Sequence, residues 1–520
     1  MKHFGTRFSA ALLTAAFALS LTGCGSGTNS FTWFVDTIPA NLDPQVATVA
    51  SDIIACENLY SGLVRRAPDG ELGPALCQGW EISADGRTYT FTIRQGLTYR
   101  GTKGAATSYA ITAEDFVFAF QRVFDPVTSS PYAVEFAAIE NSAAVLAGQM
   151  EPGALGVYAA DEYTLVIRLS QRDDTFLSKL TLPGAMPCDQ AFFESTRGTY
   201  GLNKASTLSS GSFYLYNWTA GGLFLRREPM GALVDSLRLV QDTSGSSQTA
   251  EQRILNERCT AAVDESGAET ALRSVVYSDT TWCLVFRCDS IFSVTGLRQA
   301  LAGAARDASE IPDSGLYTPA AGLIPEGLTV DGVDYREAAG DYPAPERNLT
   351  ALYREARQGM ANSAFNKVTL LLPTGCGLEQ LAGQINGAWQ KQFSLFFSLE
   401  IVEPEEFNKR LAEGDYTIAL APVSAESGSV YSMLQLFAAG EGGLSGWSDP
   451  VYTSLLEEST RTTGAGRCRL LADCERRLLD ECVVVPLFAQ QKRLLIADGV
   501  EKLIFDPFGP VLDLTDTTKS

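Results

Sequence analysis

The side chains that most often carry chemistry are unevenly supplied in this chain of 520 residues, which has eleven cysteines, one histidine and 61 acidic against 40 basic residues. The single histidine, His3, falls in the first 23 residues, which read as a cleaved leader. Without it there is no Ser–His or Cys–His nucleophile, no histidine metal site and no imidazole base. No serine stands three positions before a lysine, and neither a Gly-Lys phosphate loop nor a G-x-G-x-x-G turn occurs. No C-x-x-C is present to hold zinc or a redox pair. The acids would allow a two-carboxylate glycoside hydrolase, but no spacing sets two of them across a groove. The expectation is therefore a protein that is not an enzyme and holds no cofactor and no metal. A net charge of −21 also excludes nucleic acid as a partner, since a polyphosphate needs a basic footprint.

Lys2 and Arg7 precede an almost uncharged apolar run over residues 8–21, which ends in Leu21-Thr22-Gly23-Cys24. The run is short for a membrane span of about 20 residues. It resembles a bacterial lipoprotein signal, which implies removal of residues 1–23 and a lipid (palmitate) on Cys24. Residues 24–30, rich in Gly and Ser, read as a flexible tether. No later stretch is apolar over about 18 residues, so the remainder is expected outside the bilayer, held to the membrane's extracytoplasmic face by lipid alone. The other ten cysteines read as core filler. Cys283 and Cys288 lie five apart in a strand pattern and so on opposite faces, while Cys468, Cys474 and Cys482 take apolar helix positions.

The elements that must position any site alternate between helix and strand periods. A helix is predicted over 52–64, a half-buried strand over 88–94 where Tyr89, Phe91 and Ile93 alternate with threonines, and a capping box at Thr112-Ala113-Glu114-Asp115. That box opens a helix striped with Phe116, Ala119, Phe120 and Val123. Strands follow over 162–169 and 212–218, then a helix within 289–306. Strand 368–372, helix 378–393 and strand 395–402 make a β-α-β unit, hence a parallel pair and an α/β domain. A last helix, 467–482, runs into the apolar strand 483–488.

In order and spacing these landmarks resemble the oligopeptide- and dipeptide-binding family of ABC-transporter solute-binding proteins, from about Trp33 to Leu514. The stretches that carry the likeness are Leu42-Asp43-Pro44, Leu59-Tyr60-Ser61-Gly62-Leu63-Val64, residues 79–94 (Gly-Trp-Glu-Ile through Thr-Ile-Arg), residues 111–122 and residues 125–133. Weaker ones are Gly322-Leu323-Ile324-Pro325 and Val485-Pro486-Leu487-Phe488. The resemblance implies an α/β fold of two lobes, periplasmic-binding-protein-like, with a hinge and an additional domain inserted in lobe one. Lobe one would take residues 31–285 and 490–520, with the extra domain near 66–205, and lobe two residues 286–489.

It also implies function: a monomeric receptor outside the cytoplasm, extracellular or periplasmic, that closes on a short peptide and delivers it to a membrane permease and its ATPase. Another small solute, such as an opine, a sugar or an organic cation, is the alternative, with nickel or haem disfavoured by the lack of histidine. In the family an aspartate after a lobe-two strand holds the peptide's α-amine. The strand at 416–421 and the loop beyond it, with Ser424, bring Glu426 to that place, although Val423 and Ser427 stand where the family carries aromatic companions. Thr48 to Ala50 match a segment that pairs with the ligand backbone, and Tyr132 matches a tyrosine near the ligand. Trp218 and Trp447 are assigned to structure.

Overall fold

A computed structural model describes residues 29–520 apart from 174, 243–247, 311–314, 344, 426–428, 439–442 and 509–510. The leader, Cys24 and Glu426 lie outside the described residues.

Lobe one is built on a four-stranded sheet in which Ser30–Phe34 runs parallel to Ser236–Val240, followed by antiparallel Gly222–Arg226 and Tyr214–Thr219. Period-two alternation turns Phe31, Leu223, Leu225, Leu237 and Leu239 into one core. Ile54 and Leu59 of the helix Ala50–Leu59 fill it from one side. Val500, Leu512 and Leu514 pack into the same core, so the chain's end returns to the lobe that its beginning built.

The inserted domain has its own core, drawn from Leu63 to Leu208. Its sheet is antiparallel, ordered Cys77–Ile82, Thr88–Ile93, Thr164–Arg168, Val157–Asp161. Tyr89, Phe91 and Ile93 are buried while the intervening threonines are not, as their alternation requires. The helix Ala113–Phe124 covers this sheet and is opened by the capping box, in which the Thr112 amide donates to Asp115 Oδ2 at 2.7 Å. Its apolar stripe is buried, and Phe120 meets Phe136 edge to face with centroids 5.2 Å apart.

One buried ion pair joins this domain to lobe one. Arg122, on the capped helix, forks onto both oxygens of Asp43 at 3.0 and 2.5 Å and also donates to Gln45 Oε1 at 2.6 Å. Its guanidinium lies 4.2 Å from the Phe193 ring centroid. Burial alone would lower the Arg122 pKa, but the hydrogen bonds and charge of Asp43 reverse that and leave it raised.

Lobe two carries the β-α-β unit as expected: Thr369–Pro373, helix Glu379–Phe393, then Ser398–Val402 paired in parallel with the first strand. Ile418–Ser424 flanks Thr369–Pro373 on the other side. The helices Thr295–Ala308 and Gly464–Asp480 complete a core that includes Leu301, Leu371, Trp389 and Leu478.

Two long antiparallel strands, Arg273–Phe286 and Val484–Ile496, belong to both lobes. In lobe one the second of them pairs with Ala261–Asp264 through residues 493–496. In lobe two the first pairs with Ile418–Ser424 from Thr280 onward. Between these zones the register slips: Tyr277 faces Lys492 but Thr280 faces Gln490, so Ser278 and Asp279 together oppose one residue. Such a bulge bends the strand and weakens the ladder locally. It sits where the strands change partners between the lobes, and a second register shift follows between Trp282 and Cys283.

Replacing Arg122 by Met is expected to cost about 3–5 kcal/mol, because the Asp43 carboxylate would be stranded in the interior. Thermal unfolding should show an earlier first transition, and adding Asp43→Asn should recover part of the loss. An unchanged melting curve in Arg122→Met would remove the pair from the joint.

Candidate functional site

Three regions of the chain converge on a cavity of about 530 Å³, within the range of about 300–1,000 Å³ usual for small-ligand sites. The first wall follows from the turn at Leu42-Asp43-Pro44. With Asp43 fixed by Arg122, Gln45 Nε2 donating to the Met186 carbonyl at 2.9 Å, and Tyr60 hydroxyl donating to the Leu42 carbonyl at 3.0 Å, the chain has one exit path. It turns at residues 44–46 and reaches Val49, which is extended and precedes the helix Ala50–Leu59. Ile53 and Glu57, four apart on one helix face, line the cavity together with Tyr60, the extended residue that ends the helix. The chain's end supplies the rest of this wall, with Asp506, Phe508, Val511 and Asp513 from the hairpin of Ile504–Asp506 and Val511–Asp513.

The inserted domain provides the second wall. Tyr132 is buried, and its hydroxyl donates to the Ala47 carbonyl at 2.9 Å. Ser178 and Lys179 of the helix Phe176–Lys179, with Pro183 and Met186, extend it. Lobe two closes the third side with residues 327–332, residues 429–432, and Arg467. The 329–334 hairpin turns through Asp331 at φ 51° and Gly332 at φ 74°, the left-handed pair that an Asp-Gly turn supplies.

This hairpin makes the ionic contact between lobes. Lys179 Nζ lies 2.9 Å from Asp173 in its own domain and 3.0 Å from Asp331 across the cleft. Asp331 also takes Arg467 Nη1 at 3.1 Å and the Gly464 amide at 2.7 Å. Burial acts to lower the Lys179 pKa, yet Asp173 and Asp331 outweigh it and hold it above its ordinary value. Burial acts to raise that of Asp173, and the Lys179 charge more than offsets it. With the acid lowered and the base raised, the pair stays ionised throughout the neutral range. Its contribution fades only as pH falls through the lowered Asp173 value or rises through the raised Lys179 value.

The residues expected from sequence are divided by this geometry. Thr48 and Tyr132 both line the cavity. Thr48 is exposed, and its backbone makes no hydrogen bond to the described residues. Tyr132 has its hydroxyl committed to Ala47, so it fixes the neighbouring segment and offers a ring edge. Ala50 opens the helix and is not among the lining residues; the extended Val49 stands just before it. Ser424 also stands off the cavity wall, at the end of its strand opposite Thr280 beside the bulge, with its hydroxyl buried and unpartnered. Trp218 donates to the Pro39 carbonyl at 2.8 Å, and Trp447 packs on Tyr452 with centroids 5.3 Å apart. The ten described cysteines are free thiols, nine of them buried, and burial pushes Cys188 up to about 12 and Cys259 up to about 11. Such thiols are inert filler.

Glu57, Asp513, Lys179 and Asp331 were not singled out by sequence. Glu57 had a visible signal, an acid set between Ile53 and Tyr60 on an otherwise apolar face. The other three owe their place to tertiary contacts.

The family model for bacterial extracellular solute-binding proteins, family 5 (middle region), matches residues 71–445. The dipeptide-binding protein DppE of Bacillus subtilis is 24% identical over 490 residues, covering 91% of this chain and 88% of that protein. The probable deoxycholate-binding periplasmic protein YgiS of Escherichia coli is also 24% identical, over 87% of this chain and 86% of its own length. Among solved structures, Listeria monocytogenes OppA bound to peptide superposes with a TM-score of 0.71 at 20% identity, covering 95% of this chain and 100% of that one.

The contact across the cleft has a direct test. Lys179→Met should loosen the lobes, since Asp331 keeps Arg467 while the bond between lobes is lost; coupling of about 0.5–3 kcal/mol is typical of such a contact. Small-angle scattering of the ligand-free protein should give a larger radius of gyration, and hydrogen exchange should quicken at 329–334. Identical scattering and exchange in variant and parent would show that the pair does not hold the lobes.

Proposed function

The chain belongs to the bacterial extracellular solute-binding proteins of family 5, and on that premise we propose that it captures a dipeptide or short oligopeptide between its lobes and passes it to an ABC permease. The observation that carries this reading is the cavity itself. It is walled by both lobes and the inserted domain, and the exposed main chain of Thr48 stands at its edge. An extended peptide needs backbone partners of this kind, because main-chain hydrogen bonds hold any sequence while the side chains fall into roomier space. Relatives named for dipeptide and oligopeptide binding support the choice of ligand class. The family binds its substrate and leaves it unchanged, in keeping with the lack of a nucleophile–base pair in the sequence.

Closure around the ligand follows from a hinge where the two long strands change partners. The bulge at Ser278–Asp279 lets the lobes part, and a ligand that touches both stabilises the closed arrangement by its differential affinity. In this reading Glu426, two positions after the strand Ile418–Ser424 in sequence, is the partner of the peptide's α-amine. Cys24 carries the lipid, the tether expected over 24–30 is cut short at residue 28 because Asn29 bonds Asp235 and Ser30 opens the first strand, and a monomer at the outer face of the membrane meets the permease and its ATPase.

Differential scanning fluorimetry of the lipid-free protein against di- to hexapeptides should show a raised melting temperature, since a ligand at about 100 times its Kd adds about 2.7 kcal/mol to the folded state. No shift across that panel, with a clear shift from a bile acid, a sugar or an opine, would overturn the peptide reading. For the anchor, Cys24→Ala should release the protein from the membrane fraction. Retention there would overturn the lipid assignment.

A further inference from the structure

The charges that face the cavity do not balance, and the imbalance lies on one wall. Each cation on the lining is already engaged. Arg65 Nη1 sits 2.5 Å from Asp516, Lys179 lies between Asp173 and Asp331, Arg467 is on Asp331, and Arg66 donates to the Gly70 carbonyl at 3.1 Å. The carboxylate of Glu57, by contrast, makes no ion pair among the described residues, and Asp513 has near it only the charge of Arg65, which is itself bonded to Asp516. Asp513 accepts from the Thr515 amide at 2.7 Å and from the Thr515 side chain. Glu57 is the more exposed to this deficit: its Oε2 is buried and lacks any hydrogen-bond partner. A buried carboxylate oxygen with nothing to accept costs free energy that a partner arriving from solution would return.

The two groups reinforce one another. Burial raises the Glu57 carboxyl well above its ordinary range, the negative charges of Asp513 and Asp506 raise it further, and a hydrogen bond from the Leu512 backbone offsets this only in part. Asp513 is likewise raised by burial, against the hydrogen bonds from Thr515 and the charge of Arg65. A cation placed between them would relieve both. The helix face that brings Glu57 to the cavity also brings Ile53, and Tyr60 follows at the helix end, so the acid has apolar neighbours suited to the stem of a long side chain.

From this geometry we infer that the lobe-one wall formed by Glu57 and Asp513 receives an ammonium or guanidinium group of the ligand, so that the protein selects cationic peptides. The inference rests on the peptide reading above and adds to it a specificity that neither the fold nor the backbone contacts impose. The nitrogen is that of a lysine or arginine side chain of the ligand, since the α-amine belongs to Glu426 in the reading above and is common to every peptide.

Isothermal titration of the lipid-free protein with tripeptides bearing lysine at each position in turn separates the sources. Each peptide is paired with its Nε-acetyl-lysine form and with its Nα-acetyl form. Neutralising the group that reaches the wall should weaken binding by about tenfold or more at one position, the range of a charge-assisted hydrogen bond. In Glu57→Gln that ratio should collapse toward one. Loss in the Nε arm that collapses in Glu57→Gln supports the inference, and loss confined to the Nα arm would overturn it. Tripeptides that bind with every ratio near one would overturn the inference and leave the peptide reading standing. Ratios that persist undiminished in Glu57→Gln would also overturn it. The absence of binding by any tripeptide would bring down the peptide reading, and the inference with it. The acetylation series on the parent protein decides the matter even where the variant folds poorly, which its ligand-free melting curve would reveal.

Discussion

Everything in this molecule hangs from two strands. Arg273–Phe286 and Val484–Ile496 lie side by side in the only extended ladder that runs through both lobes among the described residues. Lobe two is the chain between them, and lobe one is the chain outside them. This connectivity fixes how the lobes can move. Two adjacent antiparallel strands resist stretching and shear but bend at a fault in their register, and the fault is supplied by the extra residue at Ser278–Asp279. Lys492 braces it by reaching Asp279 at 3.0 Å, and the Asp279 carbonyl accepts from the Ala425 amide at 2.8 Å. The bend is therefore a pinned joint, with its bonds concentrated on one residue.

The inserted domain enlarges lobe one's contribution to the cavity without touching the hinge. It is fastened by burying a full charge pair, a costly choice when apolar packing would serve. What Arg122 and Asp43 provide is direction. A guanidinium fork accepts a carboxylate in few orientations, and Gln45 extends the same arrangement by one more bond. The chain leaving Asp43 is thereby aimed along the cavity edge to Thr48. A hydrophobic contact of equal strength would hold the domain but would leave that edge less defined. The same logic recurs in lobe two, where Glu475 takes Arg336, the Tyr335 hydroxyl at 2.8 Å, and the amides of Leu323 and Ile324 at 2.7 and 3.0 Å. There a buried acid organises the loop that precedes the 329–334 hairpin.

Local pattern carried most of the fold. Alternating threonine and aromatic residues at 88–94, the capping box at Thr112, and the β-α-β unit from 368 to 402 each fell within a residue or a few of the observed elements. These signals are legible because period and cap chemistry act over a few residues. The helix predicted over 52–64 begins at Ala50 and stops at Leu59, because Tyr60 turns out to bond the Leu42 carbonyl and the chain must leave for the inserted domain. The apolar run at 483–488 continues as a strand to Ile496 through Gln490, Gln491, Lys492 and Arg493, whose polarity hid it. Those residues lie at the joint, half-buried, where polar side chains face the cleft and the hinge. The site was less legible than the fold for the same reason. Thr48 and Tyr132 were reachable because the neighbouring stretches carry the family likeness. Asp513 and Asp331 come to the cavity from 465 and 283 positions beyond Thr48, and no local rule connects segments so far apart.

A receptor of this kind faces a conflict between breadth and choice. Backbone pairing along an exposed edge accepts any peptide, and a hydrated space tolerates any side chain. Selectivity then has to come from a term that some ligands satisfy and others do not. The buried Glu57 oxygen that has no hydrogen-bond partner is such a term, because a ligand cation satisfies it and an apolar side chain does not. Cations that belong to the protein are unavailable for the role, since Lys179 and Arg467 are spent on Asp331 in closing the cleft. The division of labour is electrostatic: basic groups of the chain hold the lobes together, and its uncommitted acids are left to discriminate what lies between them.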